Sequence, residues 1–201
     1  MSVNLDTNII SILSNASDAS FYRIVPKSIS YPKNINDIVG LIQWCRINND
    51  HLTFRASGTS LSGQALGSGI IASISGNWNQ LEVMEKGKKV FVESGVIGSK
   101  INNKLKKYGR SIGPDPASIN ACSVGGILAN NSSGMRSGIN RNAYNTCFSL
   151  KYVLPNSLIL DSSEREINFR LLKHSPNIFN GLIDIRERIR CDDYTINKIT
   201  G

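Results

Sequence analysis

Arg55-Ala56-Ser57-Gly58-Thr59-Ser60-Leu61-Ser62-Gly63-Gln64 is a run of small and hydroxylated residues held between the apolar segments His51-Leu52-Thr53-Phe54 and Gly69-Ile70-Ile71-Ala72-Ser73-Ile74. Its flanks read as strands, so it does not have the make-up of a surface linker. Small side chains leave backbone N–H groups open to a ligand, and a row of open amides suits a phosphate or pyrophosphate. About sixty residues further on, a second such loop runs Gly113-Pro114-Asp115-Pro116-Ala117-Ser118 and continues to Asn131-Ser132-Ser133-Gly134. The two loops read as walls of one cofactor site.

The surrounding segments supply a frame. Pro32 and Asn34 precede Ile35, Ile38, Val39, Leu41, Ile42 and Cys45, whose spacing predicts an amphipathic helix over about 35–48, ending at Asn48-Asn49. Residues 51–54 form a strand that feeds the first loop, and 69–74 form a buried strand that leaves it. Leu81 to Glu85 and Lys89 to Glu93 make a hairpin around Lys86-Gly87-Lys88. Ile97, Ile101, Leu105 and Tyr108 recur at helical spacing up to a capping Gly109, which predicts a helix over about 97–108. A second hairpin is expected from Phe148 to Leu154 and Leu158 to Asp161, around Pro155-Asn156. Ser163-Glu164-Arg165-Glu166 then has the spacing of a capping box opening a charged helical region to about 191. Residues 1–26 form a lead-in segment and 27–201 a single domain. The expected class is α+β, with small sheets and covering helices; a regular doubly wound sheet fits less well.

Composition narrows the function. The 201 residues, 40% of them hydrophobic, suit one domain or two small lobes sharing a core. No apolar run is long enough to span a membrane, and the first residues lack a secretory pattern, so a cytoplasmic protein is expected. Cys45, Cys122, Cys147 and Cys191 are too dispersed for a zinc or iron–sulfur site and read as buried free thiols. The net charge of +8 comes from scattered Lys and Arg without an interleaved aromatic stripe, which argues against nucleic acid as the partner. No segment supplies the Rossmann glycine fingerprint. Gly58-Thr59-Ser60-Leu61-Ser62-Gly63-Gln64-Ala65 has the two glycines of a P-loop, but Gln and Ala stand where the phosphate lysine and the magnesium-binding hydroxyl belong. His51 and His174, the only two histidines, read as surface residues. Paired carboxylates, metal-ligand clusters and Ser/His/Asp arrangements are not found, so no catalytic residue and no metal ligand is assigned.

Phe54 to Gln64, together with Gly113-Pro114-Asp115-Pro116-Ala117-Ser118-Ile119-Asn120-Ala121-Cys122-Ser123-Val124-Gly125-Gly126-Ile127-Leu128-Ala129-Asn130-Asn131-Ser132-Ser133-Gly134-Met135, resembles the PCMH-type FAD-binding domain of the vanillyl-alcohol-oxidase-like flavoproteins. Within that family the chain is most similar to the glycolate oxidase and D-lactate dehydrogenase branch, above all to large D-2-hydroxyacid dehydrogenases that join a flavin half to an iron–sulfur half. The likeness runs from about Asp18 to Gly201. It implies two small α/β lobes with the cofactor between them.

The resemblance also assigns residues. Arg55, Ala56, Ser57, Gly58, Thr59 and Ser60 would wrap the FAD pyrophosphate, with Gln64 closing that loop. Thr59 stands where members that bond covalently to the flavin carry His, so FAD is expected to be held non-covalently. Gly113, Pro114 and Asp115 would lie near the flavin ring and ribityl chain. Ser118, Ala121, Cys122, Gly125, Gly126, Asn130, Asn131 and Ser132 would continue the wall. Family members continue beyond a segment like Asn197-Lys198-Ile199-Thr200-Gly201 into the rest of the FAD site and a substrate domain, so the chain is expected to be a C-terminally truncated, N-terminal part, inactive alone. The complete enzyme would oxidise a D-2-hydroxy acid to the 2-oxo acid. Any iron–sulfur cluster would belong to the missing part or to a partner, and the electron acceptor is not specified. A stand-alone nucleotide-binding module and a basic nucleic-acid-binding scaffold are the alternative classes.

Overall fold

A computed structural model describes residues 3–192 and divides the chain into a first unit that ends at Phe148 and a second that begins at Ser149. In the first unit the lead-in segment is tied down. The Asn8 side chain accepts from the Ile10 N–H at 2.8 Å and opens α1 (Ile9–Ser14). Asp6 and Ile29 exchange backbone hydrogen bonds of 2.7 and 2.9 Å, joining the segment to β1 (Ser28–Ser30). Asn34 caps α2 (Ile35–Ile47), its side-chain oxygen accepting from the N–H groups of Asn36 and Asp37. Asn49, at φ 50°, turns the chain away from the helix end.

β2 (Leu52–Arg55) and β3 (Ile70–Ser73) complete a parallel sheet in the order β1-β3-β2. β3 lies in the middle, in register with Ser28–Ser30 on one side and Leu52–Arg55 on the other, and all four of its residues are buried. A strand paired on both edges and covered on both faces reads as an unbroken apolar run, which is why Ile70-Ile71-Ala72 does not alternate with polar residues. Ile70 and Ala72 pack with Leu41 and Cys45 of α2. Ile71 points to the opposite face, completely buried.

β4 (Leu81–Met84) and β5 (Lys89–Val92) form the expected hairpin, with Leu81 opposite Val92 and Met84 opposite Lys89. Three successive positive-φ residues, Glu85, Lys86 and Gly87, make its turn. Leu81, Val83, Val90 and Val92 meet Val96, Ile101 and Leu105 in a second core. Ile101 and Leu105 belong to α3 (Gly98–Leu105), which tightens into a single 3-10 turn through Tyr108 and stops at left-handed Gly109. A short helix, α4 (Val124–Ala129), stands in the glycine-rich second loop where only a loop was expected, and another, α5 (Ala143–Thr146), follows it.

In the second unit, β6 (Lys151–Val153) pairs antiparallel with β7 (Ile159–Asp161), followed by α6 (Ile167–His174) and α7 (Pro176–Arg190). The capping box expected at Ser163 does not form. The Ser163 N–H and hydroxyl both turn back to Asp161, at 2.9 and 2.6 Å, and the helix starts instead after Glu166. The single helical region expected to about 191 is two helices, because Pro176 removes an N–H and excludes helical backbone at Ser175. Asn156 secures that break by donating to the Ser175 hydroxyl at 2.6 Å. The burial expected of the free thiols is met at Cys45 and Cys122 but not at Cys191, which is exposed.

The architecture is α+β, as expected: a small parallel sheet and two hairpins with helices packed against them. Among the described residues no helix is long and apolar enough to cross a membrane. Its most sensitive point is β3. Ile71→Ala is expected to lower unfolding stability by about 3 kcal/mol, as truncation of a fully buried isoleucine does. Urea unfolding followed by circular dichroism measures it; a loss within ~0.5 kcal/mol would remove β3 from the core.

Candidate functional site

The parallel ladder between β2 and β3 ends where the Ile74 N–H donates to the Arg55 carbonyl at 3.0 Å. Beyond Arg55 the chain leaves the sheet. The N–H groups of Ala56, Ser57, Gly58, Thr59 and Ser60 donate to no group among the described residues. Five consecutive unspent amides are unusual in a folded chain, where backbone donors nearly always find a partner or water. The loop that carries them is nevertheless fixed from behind. The Gly58 carbonyl accepts from the Ala19 N–H at 3.0 Å, and Arg55 donates from Nη2 to the Ser17 carbonyl at 2.9 Å. Gly58 lies on that guanidinium at φ 68°, and a Cβ there would fall 2.5 Å from Nη2. Burial pulls the Arg55 pKa below its usual value, while Asp18 acts in the opposite direction. Arg55 is therefore the floor of the loop, and the lead-in segment is its back wall.

The far end of the loop reaches the second one. The Ser60 hydroxyl donates to Gln64 Oε1 at 2.8 Å and accepts from the Gln64 N–H at 3.3 Å. Gln64 Nε2 then donates to Asn130 Oδ1 at 3.2 Å. The sequence-assigned Gln64 and Asn130, far apart in the chain, thus meet directly.

The second loop is stitched to itself. Asp115 receives a two-pronged contact from Arg136, at 2.7 and 3.1 Å. That contact holds the Asp115 carboxyl below the usual carboxylate range. Gly134 runs so close behind that an added Cβ would lie 1.6 Å from the Asp115 carbonyl oxygen, and Gly113 approaches the Arg141 carbonyl in the same way. Pro114 and Pro116 are buried. The Ser118 carbonyl accepts from the N–H groups of Ala121 and Cys122. Cys122 is buried, and burial pushes its thiol pKa up, so it is a packing residue and a poor nucleophile. Gly125 backs onto Ser94, whereas Gly126 faces open space. Asn131 accepts from the Tyr144 N–H, and the Ser132 N–H returns to the Ile127 carbonyl.

A cleft of about 180 Å³ opens beside Ala56 and Ser57, between the ends of β2 and β3 and the start of α3. Lys100 and Ser123 also line it, and no acidic residue does. Ser123 is 2% exposed, and its hydroxyl has no partner. Neither residue was singled out from the sequence. Ser123 stands immediately before α4, where a serine reads as an ordinary helix cap, yet its side chain makes no capping bond. Unspent amides, a buried hydroxyl and a cation, without an opposing carboxylate, are the donor set of a phosphate-bearing ligand. Among the described residues no cluster of three metal-ligating side chains occurs.

The sequence profile of the FAD binding domain matches residues 26–163. The chain belongs to that family. Among curated proteins it is 31% identical over 164 residues to D-2-hydroxyglutarate dehydrogenase of Haemophilus influenzae, covering 80% of this chain and 16% of the relative. It is 29% identical over 118 residues to the glycolate oxidase subunit GlcD of Escherichia coli, covering 58% of this chain and 24% of the relative. The chain thus spans a quarter or less of the length of these relatives. Among solved structures, 6-hydroxy-D-nicotine oxidase from Arthrobacter nicotinovorans superposes with a TM-score of 0.70 at 14% identity, covering 89% of this chain and 38% of that one. An alkyldihydroxyacetonephosphate synthase gives 0.68 at 20% identity, covering 80% of this chain and 32% of that one. The fold is therefore the PCMH-type fold that the two loops implied, and FAD is the cofactor the family binds.

The Asp115–Arg136 contact makes the second loop acid-sensitive. Because the folded carboxyl titrates below its unfolded value, its stabilising contribution is present above about pH 4 and lost as pH falls through the lowered folded value. In Asp115→Asn that part of the acid dependence is expected to disappear, as read from melting temperatures measured between about pH 3 and 7. Parallel profiles for the two proteins would show that the contact contributes nothing.

Proposed function

We propose that this chain is the cofactor-holding part of a flavin-dependent oxidoreductase that converts a D-2-hydroxy acid, of the D-lactate, glycolate or D-2-hydroxyglutarate type, to the 2-oxo acid. The observation that carries the reading is the row of unspent amides from Ala56 to Ser60, in a chain whose relatives are named for oxidising such acids. FAD, when bound, supplies the hydride acceptor for the substrate α-carbon. The protein's own part is to bind and orient it. Ala56 to Ser60 present their amides to the diphosphate, and the Thr59 and Ser60 hydroxyls add donors. Gly113, Pro114 and Asp115, held rigid by Arg136, take the flavin side. Ser118, Ala121, Cys122, Gly125, Gly126, Asn130, Asn131 and Ser132 form the wall between, with the open face of Gly126 leaving room for close approach. Thr59 has no imidazole through which this loop could bond to the flavin, so the attachment is non-covalent. The free, buried thiols of Cys45 and Cys122 support a reducing, cytoplasmic setting.

The purified chain mixed with FAD is expected to show bound-flavin absorption and to release all of its flavin to the supernatant on acid precipitation. Gly58→Val is expected to cost at least about tenfold in FAD affinity, since a branched side chain at φ 68° collides with Arg55 and rearranges the amides. Flavin retained in the pellet would contradict non-covalent attachment. Unchanged affinity in the valine variant would take the first loop out of the site.

A further inference from the structure

The cations of this chain are less evenly scattered than expected. Residues 86–110 hold eight of its 23 Lys and Arg but only one of its 15 acids, Glu93, so +7 of the net +8 lies in this one stretch. Folding gathers much of that charge around a single side chain. The β4–β5 turn runs against the end of α3 so closely that a Cβ at Gly87 would lie 2.9 Å from the Tyr108 side chain. Lys86 and Lys88 flank Gly87, while Lys106, Lys107 and Arg110 surround Tyr108 in the chain, and all five are exposed. Among the described residues none of the five enters an ion pair. The nearby acids are spent elsewhere: Glu85 pairs with Lys89 at 2.8 Å, and Glu93 accepts from the Gln80 N–H at 2.8 Å. Lys107 Nζ stands 5.0 Å from the centre of the Tyr108 ring, which is itself 37% exposed. Like charges held together repel one another, and an anionic surface laid against them removes that cost.

The make-up of the patch selects among anionic surfaces. Protein interfaces favour Arg and aromatic residues and are depleted in Lys, whereas this patch has four Lys to one Arg. Single-stranded nucleic acid stacks its bases on open aromatic faces, and the one ring here lies beneath Lys107. Flexible lysines around an amphipathic tyrosine suit a bilayer surface, where the ring settles among the headgroups and each cation adds attraction to anionic lipid. We propose that the β4–β5 turn and the end of α3 form a docking surface for anionic phospholipid headgroups, holding the protein on a membrane from one side without crossing it. The surface contains no residue assigned to the cofactor, so it stands apart from the FAD reading.

Co-sedimentation of the chain with vesicles of phosphatidylcholine, alone or mixed with phosphatidylglycerol, tests this. The chain is expected to bind the mixed vesicles only, and less as salt is added. The triple variant K86Q/K106Q/K107Q is expected to lose roughly a hundredfold in affinity for them, as removal of three cations at a charged surface does. Its melting temperature is expected to stay equal or rise, because mutual repulsion is relieved. K33Q/R165Q/K173Q removes the same charge from exposed positions elsewhere in the chain and is expected to bind as wild type does. Equal losses in the two triple variants would show that net charge alone drives binding and would overturn the surface. So would vesicle binding that neither variant weakens, or a short DNA duplex bound more tightly than the mixed vesicles and released by the first variant alone. Tyr108→Trp supplies a second reading that needs no charge removed. Its fluorescence is expected to shift to the blue on the mixed vesicles, and binding without that shift would place the contact elsewhere on the protein.

Discussion

Everything at this site follows from where the parallel pairing of β2 with β3 stops. The ladder between β2 and β3 runs as far as Arg55, and the chain must then cross to the start of β3 without a strand beside it. In most proteins such a segment would satisfy its amides internally. Here a half-buried guanidinium beneath Gly58 and a hydrogen bond from the Ala19 N–H to the Gly58 carbonyl fix the loop through its other atoms and leave its N–H groups free. The loop is rigid and its donors are unspent. That combination lets a ligand be met without reorganisation, which is the main determinant of how much contact energy appears as affinity.

The second loop is shaped differently, by backbone approaches that only glycine permits. Gly134 against the Asp115 carbonyl and Gly113 against that of Arg141 hold the halves of the loop together, and Gln64 to Asn130 holds the pair of loops to each other. The rich glycine content of this segment is thus divided between two uses. At Gly113, Gly125 and Gly134 the side-chain position is taken by protein atoms, whereas at Gly126 it is open, with nothing within 4 Å. The overall charge of +8 adds a general attraction for anions, but only Lys100 brings a charge into the cleft beside Ala56 and Ser57.

Elements with strong local signals were legible in the sequence. The Asn34 cap and the spacing of Leu41, Ile42 and Cys45 located α2, the apolar run Ile70-Ile71-Ala72 located β3, and alternation located the β4–β5 hairpin. What tertiary context decided was not. β1 is Ser-Ile-Ser, polar by composition, and becomes a buried strand only because the β3 edge and Asp6 pair with it. Ser163 has a capping spacing, but Asp161 offers its hydroxyl a nearer acceptor. The resemblance drew both loops into the candidate site, while the cleft residues Lys100 and Ser123 were passed over because one looked like a solvated helix lysine and the other like a cap. Their significance lies in absent partners, which no sequence pattern records.

The central claim is that the amides from Ala56 to Ser60 are open in the free protein and are what the cofactor closes. Residue-resolved amide hydrogen exchange, with and without saturating FAD, measures this directly. The account requires fast exchange at these five positions in the free chain and strong protection on binding, with little change in the already buried amides of β3. FAD that binds while these five amides stay as exposed to exchange as before would contradict it.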